Sequence, residues 1–336
     1  MAAFRFARNA FAGARQTPGT DGGVSFSILR RVSSRRTHSI RLRLVLVGAI
    51  AMDLSSLESK TRSDLHTIRL RASSPSRRIL IHLASMEGKY KVKQKPVLSF
   101  CMLTWNRAPM LKVCLESFFA KLSNELPVEL IVMDNASTDG TKDILERYMR
   151  VPNVQIVLSQ KNLRLNAYKP LFGLARGKFI VDLDDDIIEF PNGFDKTIVE
   201  YFDAFPDYGF IGLNVVRNEK TNGHKPGPEC YKLDVRGERV IEEGPVGGWC
   251  AAFRRSHFRL FRLFFNMLNL SIARVEDGVL SGFLHVLLRK RQGIIRDAVC
   301  LHATGPYYAR EFGLLQREAE KYQAAGLTKE AQEFSQ

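Results

Sequence analysis

The sequence predicts an α/β fold with a mostly parallel central sheet flanked by helices. Three observations predict it. Short apolar runs at Val97–Thr104, Val128–Asp134, Val154–Leu158 and Phe179–Ile187 alternate with stretches of helical periodicity, the pattern of successive βαβ units. The runs are apolar nearly throughout, as strands buried on both faces are. Three of them end in polar, conformationally permissive residues, Thr104/Asn106, Asp134–Thr141 and Asp184–Asp186. In parallel sheets ligands bind beyond that edge.

The regular pattern begins at Pro96. Residues 1–95 hold 19 Lys and Arg against 5 Asp and Glu, so +14 of the formal net charge of +15 lies there and only +1 beyond it. The basicity therefore says little about what the folded part binds, and no nucleic-acid partner is expected. This Arg- and Ser-rich, acid-poor stretch reads as a disordered extension, a presequence, or sequence ahead of a start at Met86; the last fits best because folded patterning follows within a few residues. Its apolar run Leu44–Met52 is about half the ~20 residues a spanning helix needs.

In order, Val97–Thr104 leads through Trp105-Asn106-Arg107 into a helix over Ala108–Leu122, with Leu111, Cys114, Leu115, Phe118 and Phe119 on one face. Val128–Asp134 runs into Asn-Ala-Ser-Thr-Asp-Gly-Thr at 135–141 and a helix from about Lys142 to Arg150. After Val154–Leu158 comes a helix over Tyr168–Ala175 and then the strand from Phe179. Further on, Phe210–Val216 reads as a strand, Gly223–Pro228 as a loop and Gly244–Phe253 as a Gly-rich turn entering a strand. Phe253–Phe265 reads as an amphipathic helix on the sheet, with a peripheral membrane contact as the alternative. Val279–Leu288 is an apolar helix, Ala298–His302 a last strand, and residues 311–336 a polar helix expected to be peripheral.

The run Phe-Ile-Val-Asp-Leu-Asp-Asp-Asp-Ile at 179–187 ends in Asp182, Asp184, Asp185 and Asp186. Such clustered carboxylates repel one another unless a cation neutralises them, and all-oxygen ligands select Mg2+ or Mn2+, which share their sphere with substrate phosphates. The bland alternative is a solvated acidic turn, and the convergence of three strand ends argues against it. Asp182 is expected to be structural and Asp185 a solvated turn carboxylate. The five cysteines form no Cys-x-x-Cys pair and read as buried thiols of a reducing compartment. Glycosylation sequons at Asn135 and Asn269, the first inside the motif assigned below to nucleotide binding, point the same way, to a cytoplasmic protein.

These motifs resemble family-2 glycosyltransferases of the GT-A fold. The resemblance rests on Leu98–Arg107, Val132–Thr141, the Leu-Asp-Asp-Asp at 183–186, Gly247–Phe253 and Val275–Gly278, in the family's order over about Pro96–Thr304. It implies a GT-A domain over 96–310 and a Mn2+ or Mg2+ ion. It also implies that Thr104, Asn106 and Arg107 line a nucleotide pocket, that Asp134 accepts from a uracil ring, and that Ser137 and Asp139 stand nearby. Asp184 and Asp186 become the Asp-x-Asp pair, His302 a further metal ligand, Asp277 the general base with Glu276 beside it, and Gly247, Gly248 and Trp249 the acceptor-side wall. The chain departs from the family after the third strand: Asn162-Leu163-Arg164 stands where Asn-x-Gly is common, which removes easy access to positive φ and adds a cation near the diphosphate.

Each assignment has a plainer rival. Asp134 is also a turn former, Asp277 a helix cap, His302 a core histidine and Trp249 a packing anchor. The expected activity is metal-dependent, inverting transfer from a nucleotide-sugar, UDP-linked by the Asp134 position, to a hydroxyl of a glycan or lipid-linked acceptor in cell-surface polysaccharide synthesis, at the inner face of the membrane. The alternatives are a nucleotidyltransferase and a non-catalytic nucleotide-sugar or glycan-binding protein.

Overall fold

The computed structural model describes residues 95–335; the expectations for residues 1–94 and for the Met86 start lie outside them. One sheet organises this part. Its strands are β1 (Leu98–Thr104), β2 (Val128–Asp134), β3 (Val154–Leu158), β4 (Phe179–Asp184), β5 (Ile187–Glu189), β6 (Tyr208–Val215), β7 (Lys232–Arg236), β8 (Arg239–Glu243), β9 (Cys250–Arg254) and β10 (Arg291–His302). The spatial order is β3-β2-β1-β4-β9-β6-β10-β8-β7, with β5 paired to β10. The pairs β3-β2, β2-β1, β1-β4 and β6-β10 are parallel, whereas β9 runs antiparallel between β4 and β6.

The helices are α1 (Ala108–Lys121), α2 (Thr141–Glu146), α3 (Tyr168–Leu174), α4 (Phe194–Ala204), α5 (Arg255–Met267), α6 (Glu276–Leu288), α7 (Pro306–Glu311), α8 (Leu315–Gln323) and α9 (Thr328–Glu333). In α1, Pro109 occupies the first turn, where its missing N–H costs nothing. Its buried face is Met110, Leu111, Cys114, Leu115 and Phe118. Phe119, expected on that face, is half-buried and stacks on Tyr148 instead.

The core beneath the site is aromatic. Phe118 meets Phe100, Phe190 and Phe194 edge-on, at centroid distances of 4.9, 5.9 and 5.6 Å, the preferred geometry for such pairs. All five cysteines are free thiols, and four of them are buried. No helix among the described residues is long and apolar enough to cross a membrane.

Three differences from the sequence reading matter. The acidic stretch is not one strand: β4 stops at Asp184, Asp185–Asp186 form a turn, and β5 begins at Ile187. The last strand begins seven residues earlier than expected, at Arg291, and absorbs Arg296–Ala298 as an irregularity opposite β6, bridged by the Asn214 side chain on the Arg296 carbonyl. The C-terminal stretch is not peripheral. Helices α7, α8 and α9 close over Met110 and Ala303 through Tyr308, Leu314 and Phe334, because the apolar residues of this polar-looking stretch lie on one side.

Candidate active site

The register of two strands builds the site. Antiparallel pairing of β5 with β10 sets Ile187 opposite His302, and the Ala303 N–H donates to the Asp186 carbonyl at 2.8 Å. His302 is thereby brought against the Asp185–Asp186 turn. Its Nε2 lies 3.0 Å from Asp186 Oδ1 and 3.6 Å from Asp184 Oδ2. The Nδ1 side faces the Gly223 carbonyl at 3.0 Å. A carbonyl only accepts, so Nδ1 carries the proton, and neutral His302 would aim its other lone pair at two carboxylates. That arrangement is repulsive unless His302 is protonated or a cation lies between the three groups.

One ligand atom from each of Asp184, Asp186 and His302 falls within 4.8 Å of the others, and Asp186 Oδ1 is buried without a hydrogen-bond donor. Two carboxylates and an imidazole suit Mn2+ or Mg2+ completed by substrate oxygens, so the residues fit the ion. Burial opposes charge on His302, yet Asp186 and then Asp184 outweigh it and push its pKa up to about 9. Burial also works against the Asp186 carboxylate, but His302 and Arg107 override it and hold the group far below its usual range. Asp184 is pushed up to about 7 by burial and then by Asp186.

Arg107 stands at the end of β1 and holds this cluster from the other side. Its Nη1 donates to Asp185 Oδ1 at 2.8 Å and to Asp186 Oδ2 at 2.7 Å, while Nε and Nη2 both donate to Glu318 Oε1 on α8. The guanidinium expected in a nucleotide pocket is therefore an internal counter-ion, and Asp185, expected to be solvated, is buried against it. Arg317 reinforces the closure by donating to the Trp105 carbonyl with its guanidinium over the Trp105 ring. Between sheet edge and α8 lies a cavity of about 140 Å³ lined by Arg107, Asp184, Asp186, His224, His302 and Lys321, among others. His224, Glu318 and Lys321 have no sequence signature. Each reaches the site through tertiary folding; His224 does so from a strained φ of 58° after Gly223.

The second cluster lies on β4 and α6. Asp277 is in the first turn of α6 behind the cap Val275, so it is not the cap. Its Oδ2 accepts the Gly248 N–H at 2.9 Å and its Oδ1 the Gly278 N–H. Glu276 and Asp182 are buried, with Glu276 Oε2 and both Asp182 oxygens lacking partners. Burial, and then neighbouring carboxylates, drive Asp182 and Glu276 well above their ordinary values. Burial also raises Asp277, against its two backbone donors. Three crowded carboxyls can hold a proton at neutral pH. Asp182, expected to be merely structural, belongs to this cluster; the signal for it was its place two residues before Asp184 on the same strand.

The remaining predicted residues order the strand ends. Asn106 takes φ of 49°, accepts the Thr138 N–H and donates its own N–H to Ser137 Oγ. Asp134 is fully buried, and its carboxylate accepts the Ser137 N–H; contact with a base requires the 135–139 turn to part from it. Asp139 accepts from Ala108 N at the start of α1 and from Thr141 N, so it caps α1, whose own cap residue contributes no side chain. Thr104 Oγ1 is buried without a partner.

Asn162 accepts the Arg164 N–H, and the Asn135 amide donates to the Arg164 carbonyl and accepts from Leu163 N. Arg164 thus has φ of 52°, keeping the conformation that Gly would supply. The sequon residue Asn135 is buried in these bonds. Trp249 is a correction: it is 3% exposed and donates Nε1–H to the Leu213 carbonyl, so it offers no open indole face to a sugar. Its Gly-rich approach lets it fold inward beside His302.

Asp184, Asp186 and His302 at the carboxyl edge of the sheet, with Asp277 at the start of α6, make up the candidate site. Residues 99–261 match the model of glycosyl transferase family 2, and over that span the chain is similar to that family. Among curated proteins it is similar to the "Putative glycosyltransferase EpsH" of Bacillus subtilis, 26% identical over 210 residues and 58% of each chain. It is also similar to an uncharacterized protein of Mycobacterium bovis, 32% identical over 164 residues and 47% of each. The chain spans about half the length of these relatives. Among solved structures, a mannosyltransferase of Pyrobaculum calidifontis, in complex with GDP-Man and Mn2+, aligns over 76% of both chains at 16% identity and a TM-score of 0.48.

Proposed function

We propose that the chain transfers a sugar, with inversion, from a nucleotide-sugar to a hydroxyl of a glycan or lipid-linked acceptor in surface polysaccharide synthesis. The observation that carries this reading is the triad Asp184, Asp186 and His302 at the sheet edge, joined by the Asp277 carboxylate on α6. A divalent ion held by the triad would neutralise charge gathering on the leaving diphosphate. Asp277 would take the acceptor proton, its orientation fixed by the Gly248 and Gly278 N–H groups. Burial would raise its proton affinity toward a working value. UDP is the favoured donor nucleotide, from the Asp134 position alone.

The test is thermal stabilisation of the full chain by UDP, GDP and CDP and their sugars, with and without Mn2+. A ligand at a hundredfold excess over Kd stabilises by about 2.7 kcal/mol. A Mn2+-dependent shift with one nucleotide, lost in Asp186→Asn, is expected. In Asp277→Asn donor binding should persist while transfer falls at least about a hundredfold. Transfer surviving in Asp277→Asn would remove Asp277 as the base, release of a sugar phosphate in place of the nucleoside diphosphate would favour a nucleotidyltransferase, and absence of any shift would favour a glycan-binding protein.

A further inference from the structure

Helix α5 has three faces. At 3.6 residues per turn, Phe258, Phe261 and Phe265 share the face turned into the protein, where all three are buried. Leu260, Leu263, Phe264 and Met267 share the opposite face, and they are 70%, 67%, 37% and 70% exposed. Arg255, Arg259 and Arg262 form a stripe between the two. A helix that only covers a sheet needs one apolar face; this helix has a second one in solvent.

The patch continues onto α6. Phe283 stacks on Phe261 at 4.9 Å, and beyond it Val286 is 63% and Leu287 37% exposed, followed by Arg289 and Lys290. From Arg254 to Val275 the chain contains no acidic residue. Arg255, Arg259, Arg262 and Arg289 have no ion-pair partner among the described residues. Apolar groups bordered by uncompensated arginines match one surface chemistry, an acyl layer beneath anionic headgroups.

We propose that the outer face of α5, extended by the end of α6, docks on an anionic membrane. Leu260, Leu263 and Met267 enter the boundary between headgroups and acyl chains, and the arginines meet lipid phosphates. Charge selects this occupant over two others. The chain's own first 95 residues carry +14 and would set cation against cation, and a second copy in two-fold contact would do the same. The α5–α6 connection is bonded to the stretch after β3 through Asn166, which donates to Asn269 Oδ1 and the Leu270 carbonyl and accepts from Leu270 N, and it leads in sequence into Asp277. The inference stands independently of the transfer reading.

The test uses the full chain with vesicles of phosphatidylcholine, with and without phosphatidylglycerol, by co-sedimentation at low salt and at about 0.5 M, where charge attraction is screened. Residues 1–95, at +14, would attract anionic vesicles by charge alone, so the discriminating variant is Leu260→Glu/Leu263→Glu. Wild type should prefer anionic vesicles at least tenfold and retain part of its binding at high salt. The double variant should lose the salt-resistant fraction with an unchanged Tm, and Arg259→Gln should weaken low-salt binding severalfold. An environment-sensitive fluorophore on Leu263→Cys should shift to the blue on anionic vesicles. Equal binding by wild type and the double variant, or no spectral shift at 263, would overturn the proposal. So would a concentration-dependent dimer that the double variant abolishes without any vesicle binding by wild type.

Discussion

Arg107 and Glu318 lie 211 positions apart, yet Arg107 donates to a single oxygen of Glu318 through both Nε, at 3.1 Å, and Nη2, at 2.6 Å. Both side chains are about nine-tenths buried, so water screens the pair little. Removing one partner of a buried pair leaves an uncompensated charge, which costs about 3 kcal/mol or more. Glu318→Ala should lose about that much in urea unfolding. Arg107→Met should lose more, because Asp185 and Asp186 are stranded too, and Mn2+ should restore part of the Arg107→Met loss but none of the Glu318→Ala loss. Equal recovery in both would show that the pair and the triad do not share Asp186.

Gly248 is wedged between two carboxylates. A Cβ there would come within 2.8 Å of Asp182 Oδ2 and 3.5 Å of Asp277 Cβ. Gly248→Ala should therefore cost about 1–3 kcal/mol of stability and displace Asp277, lowering transfer by more than donor affinity. Unchanged turnover in this variant would remove Asp277 from the reaction.

Arg164 is held at positive φ, a conformation that costs a side chain about 1 kcal/mol. Arg164→Gly should stabilise the fold by roughly that amount, read as a rise in the urea midpoint. If the guanidinium meets the donor diphosphate, the same variant loses nucleotide affinity about tenfold, and Arg164→Ala loses affinity without the gain in stability. Donor affinity unchanged in both would assign Arg164 to the turn alone.

Without metal, stability should fall as pH rises from about 5 to 9. Asp184 titrates at about 7 in the folded chain against an ordinary 3.8, so its folded-state ionisation penalty enters between about pH 4 and 7. His302 titrates at about 9 against 6.5, so its contribution is complete below about 6.5 and is lost as pH rises through 9. In both windows the native chain holds more protons than the unfolded one, which gives the negative slope. Asp184 keeps a third of its side chain exposed, so His302 should dominate. Mn2+ needs deprotonated ligands and should reverse the slope. Calorimetric Tm values in EDTA and in Mn2+ would check this, and an unchanged EDTA slope in His302→Gln would refute it.

The first half of the sheet was legible because parallel strands buried on both faces are continuous apolar runs: Val128–Asp134 and Val154–Leu158 have the same bounds in sequence and structure. The β7–β8 hairpin was not legible, since Lys232–Arg236 and Arg239–Glu243 are charged and half-exposed and pair through Arg236, Arg291, Asp234 and Glu243. The residues of the site were read by type but not by partner. Asp184, Asp186 and His302 do converge, but the ion pair of Arg107 with Glu318 and the burial of Asp182 among carboxylates were not foreseen. Their neighbours, Glu318 beside Arg107 and Glu276 near Asp182, come from helices distant in sequence, and no local pattern encodes such contacts. Trp249 was misjudged because a Gly-rich approach permits an inward as easily as an outward indole.

The span between Arg107 and Glu318 also sets a timetable for synthesis. At 5–20 residues per second, roughly 10 to 40 s pass between the emergence of the guanidinium and that of its carboxylate. Through that interval β1 to β4 can form while Arg107 is balanced only by the acids of the Asp185–Asp186 turn. The carboxyl edge of the sheet is closed by α8, so a chain stalled before residue 318 lacks the carboxylate that Arg107 holds through two of its nitrogens.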